Sequence, residues 1–451
     1  MKNFSTIAHP LKSQMNFISV NGKSTPVSFR HALFSGIAND GGLYVPENIP
    51  SFSPSFLSQL ENLSLHEISV EVASLFIDEI PKAHLENIIS KAFNFPIPLV
   101  HLEEKIFLLE LFHGPTLAFK DVGARFMAET LSFFLQQEKK EITVIVATSG
   151  DTGSAVANGF YNVPNISVVV LYPSGKISPL QEKQITTLGN NIHAIEVEGT
   201  FDDCQKLVKQ ALADKELVTK RNLTTANSIN LGRLIPQIMY YVWAFAQLRT
   251  IPKQVRNDNI IAVVPSGNFG NLTAGLYAKG MGLPIQKFIA ATNSNDVVPE
   301  YFHTGKYSPR PSIQTYSNAM DVGNPSNLSR IQFLYGNDVQ KMKTDIEAMS
   351  ISDEETLNEI RETYKRTKYI LDPHTAVGVC AFRKRSQKPE VRNQSIIVAA
   401  TAHYAKFPEV VEKAIGEKII LPPILENALH KTKQSTFIPA NYDELKALLL
   451  S

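Results

Sequence analysis

The 451 residues are 43% hydrophobic and 19% charged, and 44 Lys plus Arg stand against 43 Asp plus Glu for a net charge of +1. That balance describes a globular chain with room for two or three domains, and it gives no electrostatic argument for binding nucleic acid or an acidic membrane. Two isolated cysteines, Cys204 and Cys380, no bilayer-length apolar run, and an opening MKNFSTIAHPLKSQ without the apolar segment of a secretory signal predict a cytoplasmic protein with neither disulfide framework nor Cys/His metal site.

The first hundred residues stand apart. SFRHALFSGIANDGGLYVPENIPSF contains glycine and proline turns, and LHEISVEVASLFIDEIPKAHLENIISKAF reads as amphipathic helices joined near Pro81. Together they predict a small, mostly helical N-terminal domain over 1–98. LELFHGPTLAFKDVGARFMAE follows, and its Pro115-Thr116 turn predicts a helix from Leu117 to Gln137. On that helix Lys120, Gly123, Ala124, Met127, Leu131 and Phe134 share one apolar face. Asp121, Arg125, Glu129, Ser132 and Gln136 form the opposite, wet face. Lys120 thus sits on the apolar stripe. It either snorkels its ammonium past the helix start or is a desolvated amine kept for Schiff-base chemistry.

Strands and helices then alternate. EITVIVAT leads to GSAVANGFY, NISVVVLYP to SPLQEKQITTLG, and NIHAIEVEG to FDDCQKLVKQALAD; NIIAVVP leads to NLTAGLYAKG, with IQKFIAATN after it, and SIIVAAT leads to PEVVEKAIG. The strands are continuous Val/Ile runs, as expected where helices cover both sheet faces, so the fold class is α/β with doubly wound, mostly parallel sheets. Ligands in such folds collect at the carboxyl ends of the strands. The polar, proline-rich stretch 306–327 reads as a loop ordered around the site, and 421–451 as a packed C-terminal appendage.

Two loops share one design. Ser149-Gly150-Asp151-Thr152-Gly153 and Ser266-Gly267-Asn268-Phe269-Gly270 each join a strand to a helix. Glycines let backbone N–H groups converge and the helix start adds its positive dipole end, so each is a candidate anion cradle; a tight turn with an Asp or Asn cap is the competing reading. Neither fits the dinucleotide or P-loop nucleotide patterns. Asp151 would repel a phosphate dianion and Asn268 would not, which assigns 266–270 to a phosphate and 149–153 to a zwitterion such as an amino acid. Lys176 in YPSGKISPLQEKQ, and Asn227, Ser228, Asn230 and Arg233 in TTANSINLGRLIPQ, add anion-binding chemistry, although Arg233 alone reads as a surface or salt-bridge residue.

Taken in order, GGLYVPENIP, LELFHGPTLAFKD, TSGDTG, YPSGKISPLQEKQ, NSIN with Arg233, PSGNFGN, AATNSND, SNAMDVGNPSN and TAHYAKF resemble threonine synthase, a family of pyridoxal phosphate (PLP) enzymes. The resemblance runs over nearly the whole chain. It implies two doubly wound lobes around a PLP cleft within 99–420, the smaller and mobile lobe lying roughly over 130–240. It also implies that Lys120 carries the cofactor as a Schiff base and shuttles protons, that Ser266, Gly267, Asn268, Phe269 and Gly270 hold the cofactor phosphate, and that Thr401 faces the pyridine nitrogen. Ser149, Gly150, Asp151, Thr152 and Gly153 would dock the substrate carboxylate. Lys176, Asn227 and Arg233 would hold the substrate phosphate. The implied reaction converts O-phospho-L-homoserine and water to L-threonine and phosphate, in a monomer. A related phospholyase would release 2-oxobutyrate instead, and an α/β binding protein using ATP or no catalysis is the competing class. The sequence departs from the family at Tyr404, where proline is common, and at Asp151, where more distant relatives carry Asn, so Asp151 is assigned no cofactor contact. His113, His374 and His403 are read as hydrogen-bonded turn histidines.

Overall fold

A computed structural model describes residues 15–257, 259–386 and 394–451. In chain order its strands are β1 (Phe17–Ser19), β2 (Tyr44–Pro46), β3 (Leu99–Glu103), β4 (Ile106–Glu110), β5 (Ile142–Ala147), β6 (Ile166–Pro173), β7 (Ile192–Glu198), β8 (Leu223–Thr225), β9 (Ile260–Pro265), β10 (Ile285–Thr292), β11 (Ile346–Ser350), β12 (Ser395–Ala400) and β13 (Thr436–Pro439). They form a six-stranded sheet ordered β11-β10-β9-β12-β4-β3 and a five-stranded sheet ordered β13-β7-β6-β5-β8. Every pairing in the two sheets is parallel except that of β3 with β4. The Val/Ile runs β5, β9 and β12 are buried at every position, as parallel strands covered on both faces must be.

The N-terminal region holds the antiparallel pair β1-β2 and the helices Phe29–Ser35, Pro54–Gln59, Leu65–Ser74 and Lys82–Ala92. Its Phe29, Phe76 and Ile89 share one continuous core with Val144 of the smaller sheet and Val264 of the larger. The C-terminal tail does more than pack on: β13 continues the smaller sheet beside β7, pairing Ile438 with Val197. No helix of the described residues is long and apolar enough to cross a membrane.

The helix after the Pro115-Thr116 turn runs Lys120–Glu138 rather than starting at Leu117. Leu117 takes a left-handed φ of 56°, and the segment from 117 to 119 is tied to the end of β12 instead. Phe119 N donates to Thr401 O at 2.9 Å, His403 N donates to Leu117 O at 3.1 Å, and Ala118 bridges Ala402. Helix formation at 117 loses to these long-range bonds, so Lys120 becomes the first residue of the helix. The apolar face is buried as expected, but Asp121 is not on a wet face. It is buried and accepts from Thr116 N at 2.8 Å and from the Thr116 hydroxyl. Burial, offset by those Thr116 bonds, pushes its carboxyl up to about 6. Ser132 is buried too, leaving Arg125, Glu129 and Gln136 as the outer face.

Candidate active site

The carboxyl ends of β5, β9 and β12 converge on one cavity, where the doubly wound topology predicts a ligand site. Lys120 lines it from the helix start. The residue before it is fixed from two sides, because Phe119 O accepts from the Tyr240 hydroxyl at 2.8 Å while its N–H bonds Thr401. Among the described residues the Lys120 amine has no hydrogen-bond or ion-pair partner. Its surroundings are dense enough that burial lowers its pKa to about 8, against a counter-pull from Asp151 and with help from Arg233 and Lys406. A lysine near 8 is part-neutral at physiological pH, which a nucleophile or proton shuttle requires and a snorkelling lysine does not.

All five residues of the 266–270 loop line the same cavity. Phe269 holds a left-handed φ of 62° directly before the helix Gly270–Gly280, a strained conformation for a bulky residue and one that concentrates at ligand sites. The Ser266 hydroxyl is committed to Val264 O at 2.8 Å, so the loop has backbone N–H groups, not this hydroxyl, to offer an anion. The Asn268 side chain faces outward from the cradle, its Oδ1 accepting from Ser326 N at 3.2 Å and so pinning the loop that follows Met320. Thr401 also lines the cavity, and its hydroxyl makes no hydrogen bond within the described residues.

The 149–153 loop is divided. Ser149, Asp151 and Thr152 line the cavity; Gly150 and Gly153 lie behind it and serve close packing. A Cβ at Gly150 would stand 2.4 Å from the Gln181 amide, and its φ of 134° suits only glycine. Asp151 does not present a free charge to the cavity. Its Oδ1 pairs with Lys406 Nζ at 2.6 Å and accepts from Gln181 Nε2 at 3.0 Å. Burial raises the Asp151 carboxyl, but Lys406 and then Lys120 outweigh it and hold the group below the ordinary carboxylate range. The charge contrast between the two loops therefore no longer distinguishes their ligands, because Lys406 neutralises the acidic one.

Arg233 is 3% exposed, not a surface residue. Nη1 donates to Ala226 O at 2.6 Å, while Nε is buried and, among the described residues, unpartnered. Gly123, on the Lys120 helix, makes room for it: a Cβ there would lie 3.1 Å from Nε. Burial lowers the guanidinium to about 10, with Tyr240 and Asp121 pulling the other way. Asn227 lines the cavity with its amide engaged by Ala147, donating to O at 2.9 Å and accepting from N at 3.3 Å. Lys176 departs from expectation. It sits exposed in the turn after β6, outside the cavity wall, because Lys176 N closes that turn onto Pro173 O.

Of the three histidines, His374 also reaches the cavity. Its Nδ1 pairs with Asp372 at 2.8 Å and its Nε2 accepts from Ala319 N at 3.2 Å, holding the loop that covers Gly267. His113 pairs with Glu110, and His403 caps the turn Tyr404–Lys406, as turn histidines do. Sequence reasoning missed Lys406, Gln181 and the Asp372–His374 pair as parts of the site.

Comparison with known proteins agrees with this geometry. Residues 92–401 match the family described as pyridoxal-phosphate dependent enzyme, 16–93 match threonine synthase N terminus, and 375–449 match threonine synthase, C-terminal. The threonine synthase of Escherichia coli K12 is 44% identical over 97% of this chain and 100% of its own length. The crystal structure of Escherichia coli threonine synthase superposes with a TM-score of 0.90 at 43% identity, covering 97% of this chain and 99% of that one. PLP-bound threonine synthase from Brucella melitensis gives 0.89 at 34% identity, covering 97% and 99%. The chain belongs to the threonine synthase family of pyridoxal-phosphate-dependent enzymes.

Proposed function

We propose that the chain converts O-phospho-L-homoserine and water to L-threonine and phosphate, working as a cytoplasmic monomer. The observation that carries the substrate assignment is Arg233, a buried guanidinium lining the same cavity as Lys120 and, among the described residues, with its Nε unpartnered. Bound PLP supplies an aldehyde for the substrate amine and an electron sink for charge developing at Cα and Cβ. Lys120 Nζ takes the Cα proton and moves protons along the substrate chain. Arg233 holds the phosphate that leaves from Cγ and fixes its direction of departure. Ser149 and Thr152, beside the start of the helix Asp151–Gly159, hold the substrate carboxylate. Met320 and Val322, carried by the 306–327 segment, exclude water until addition at Cβ. Purified protein given O-phospho-L-homoserine is expected to yield threonine and phosphate in equal amounts. Mostly 2-oxobutyrate would replace this reading with the phospholyase.

The residues fit the cofactor: a free amine with lowered pKa stands in one cavity with a backbone cradle at a helix start. Two results follow from that fit. Because Schiff-base formation needs the neutral amine, PLP uptake by apoenzyme is expected to quicken about tenfold per pH unit up to about pH 8 and then level off. Uptake still rising steeply at pH 9.5 would show an ordinary lysine. In the cradle, a Cβ at Gly267 would stand 2.9 Å from Met320 Cα and 3.0 Å from Ala319 O, both backbone atoms that move only with their loop. Gly267→Ala is therefore expected to weaken PLP binding by about 1–3 kcal/mol, the usual overpacking cost. Fluorescence titration of apoenzyme measures it as a Kd about fivefold to 150-fold higher.

A further inference from the structure

The site contains a second lysine, this one fully buried, that the proposed chemistry does not use. Lys406, in the turn after β12 on the larger sheet, is fully buried. Its Nζ donates to Thr116 O at 2.9 Å and pairs with Asp151 at 2.6 Å across the boundary between the two sheets. Gln181, from the helix Pro179–Thr186, bonds the same Asp151 oxygen, and Gln184 of that helix reaches Thr116 O at 3.3 Å. Thr116 in turn grips Asp121, so the network ends on the first turn of the Lys120 helix.

A staple between lobes does not need charge. Dehydrating both ions is costly, and buried pairs of this kind are commonly no more stabilising than apolar ones. The location of the pair is more informative. Asp151 lines the cavity and Lys120 is the second cation it senses, yet the contact belongs to Lys406 and, among the described residues, the Lys120 amine is left without an acceptor. We propose that Lys406 is a positioning residue for the reaction: by claiming the Asp151 carboxylate it keeps that group from pairing with Lys120 and leaves the Lys120 amine free to react. This inference concerns the chain's own lysines and rests on Lys120 being the reacting amine.

The ionisable groups facing Lys120 are Asp151, Arg233 and Lys406, and those facing Asp151 are Lys406, Lys120 and the His374 imidazole. In Lys406→Met, Asp151 is left with Lys120 as its nearest cation, which favours the protonated amine. In Asp151→Asn, Lys406 remains beside Lys120 without its counterion, which favours the neutral one. The test is the pH at which the visible absorbance of each holoenzyme titrates. Lys406→Met is expected to move that midpoint up by about one pH unit, tenfold in proton affinity, and Asp151→Asn to move it down by a similar amount. The double variant should return near the starting value, and Lys406→Arg should hold it. If Lys406→Met does not fold, Lys406→Gln, which keeps a donor for Thr116 O without the charge, takes its place and should give the same upward shift. Unmoved midpoints in variants that melt at lower temperature would mean a structural staple and overturn the proposal. Loss of the visible chromophore in Lys120→Ala, with these midpoints absent altogether, would separate failure of the positioning role from failure of Lys120 itself.

Discussion

Lys120→Ala is expected to yield a folded protein that turns over O-phospho-L-homoserine at least about a thousandfold more slowly, since positioned proton transfer alone contributes about 10²–10⁴. Folding should survive because the side chain makes no hydrogen bond of its own within the described residues and alanine is the better helix former at the start of Lys120–Glu138. Removing a desolvated amine from beside Arg233 and Lys406 also relieves like-charge repulsion, so the melting temperature of apoenzyme should hold or rise. The chromophore should be the clearest readout. Wild-type holoenzyme treated with borohydride should carry reduced cofactor on the peptide containing Lys120, and the variant should carry none, although Lys406 is also a lysine near the site. Lys406 is committed to Asp151 and Thr116 and has no free amine to offer. Small exogenous amines should restore part of the lost rate by replacing the proton shuttle. A variant within tenfold of wild type, or label recovered on the Lys406 peptide, would reassign the reacting lysine.

The parts of the molecule legible in the sequence are those fixed by short-range pattern. The Val/Ile runs β5, β6, β9 and β12 are strands because a parallel strand buried on both faces has little option but to be continuously apolar. Strands fixed by their partners were not legible. β3 and β4 turn through Glu104 at a positive φ of 47°, where no glycine or asparagine signals a hairpin, and β8 is three residues long. β13 is a strand because β7 offers it an edge. The same division runs through the site. Strand-to-helix glycine loops announce themselves, whereas the start of the Lys120 helix is set by bonds from 117–119 to a strand nearly 300 residues later. Asp121 read as a solvated charge and Lys406 went unremarked because nothing nearby in sequence shows that Thr116 and Asp151 enclose them. Arg233 read as a surface residue for a related reason. The gap it fills is created by Gly123, and a missing side chain on another helix leaves no mark near residue 233.

Arg233→Met should be the most selective loss the protein can show. A guanidinium buried to 3% exposure, bonded to one carbonyl and leaving Nε unpaired, costs the fold more than a methionine of similar length would. Apoenzyme of the variant should therefore melt no lower than wild type. PLP should still bind and give its visible band, because the 266–270 loop is held by Asn268, Ser326 and Asn327 and not by Arg233, although the pH at which that band titrates should rise with one cation fewer near Lys120. What should fall is the use of phosphorylated substrate. Truncating one partner of a buried charge pair costs about 2–5 kcal/mol, so kcat/KM for O-phospho-L-homoserine should drop by about 30-fold to several thousandfold. Inorganic phosphate should lose its competitive inhibition in parallel, whereas binding of an unphosphorylated amino acid, followed by the change in cofactor absorbance, should hardly move. Arg233→Lys should recover only part of the loss, since an ammonium keeps the charge but cannot bond Ala226 O and reach an anion with the same planar fork. If Arg233→Met instead keeps its phosphate inhibition and loses stability, the guanidinium is a strut for the Ala226 carbonyl, and the substrate phosphate must be held elsewhere on the cavity wall.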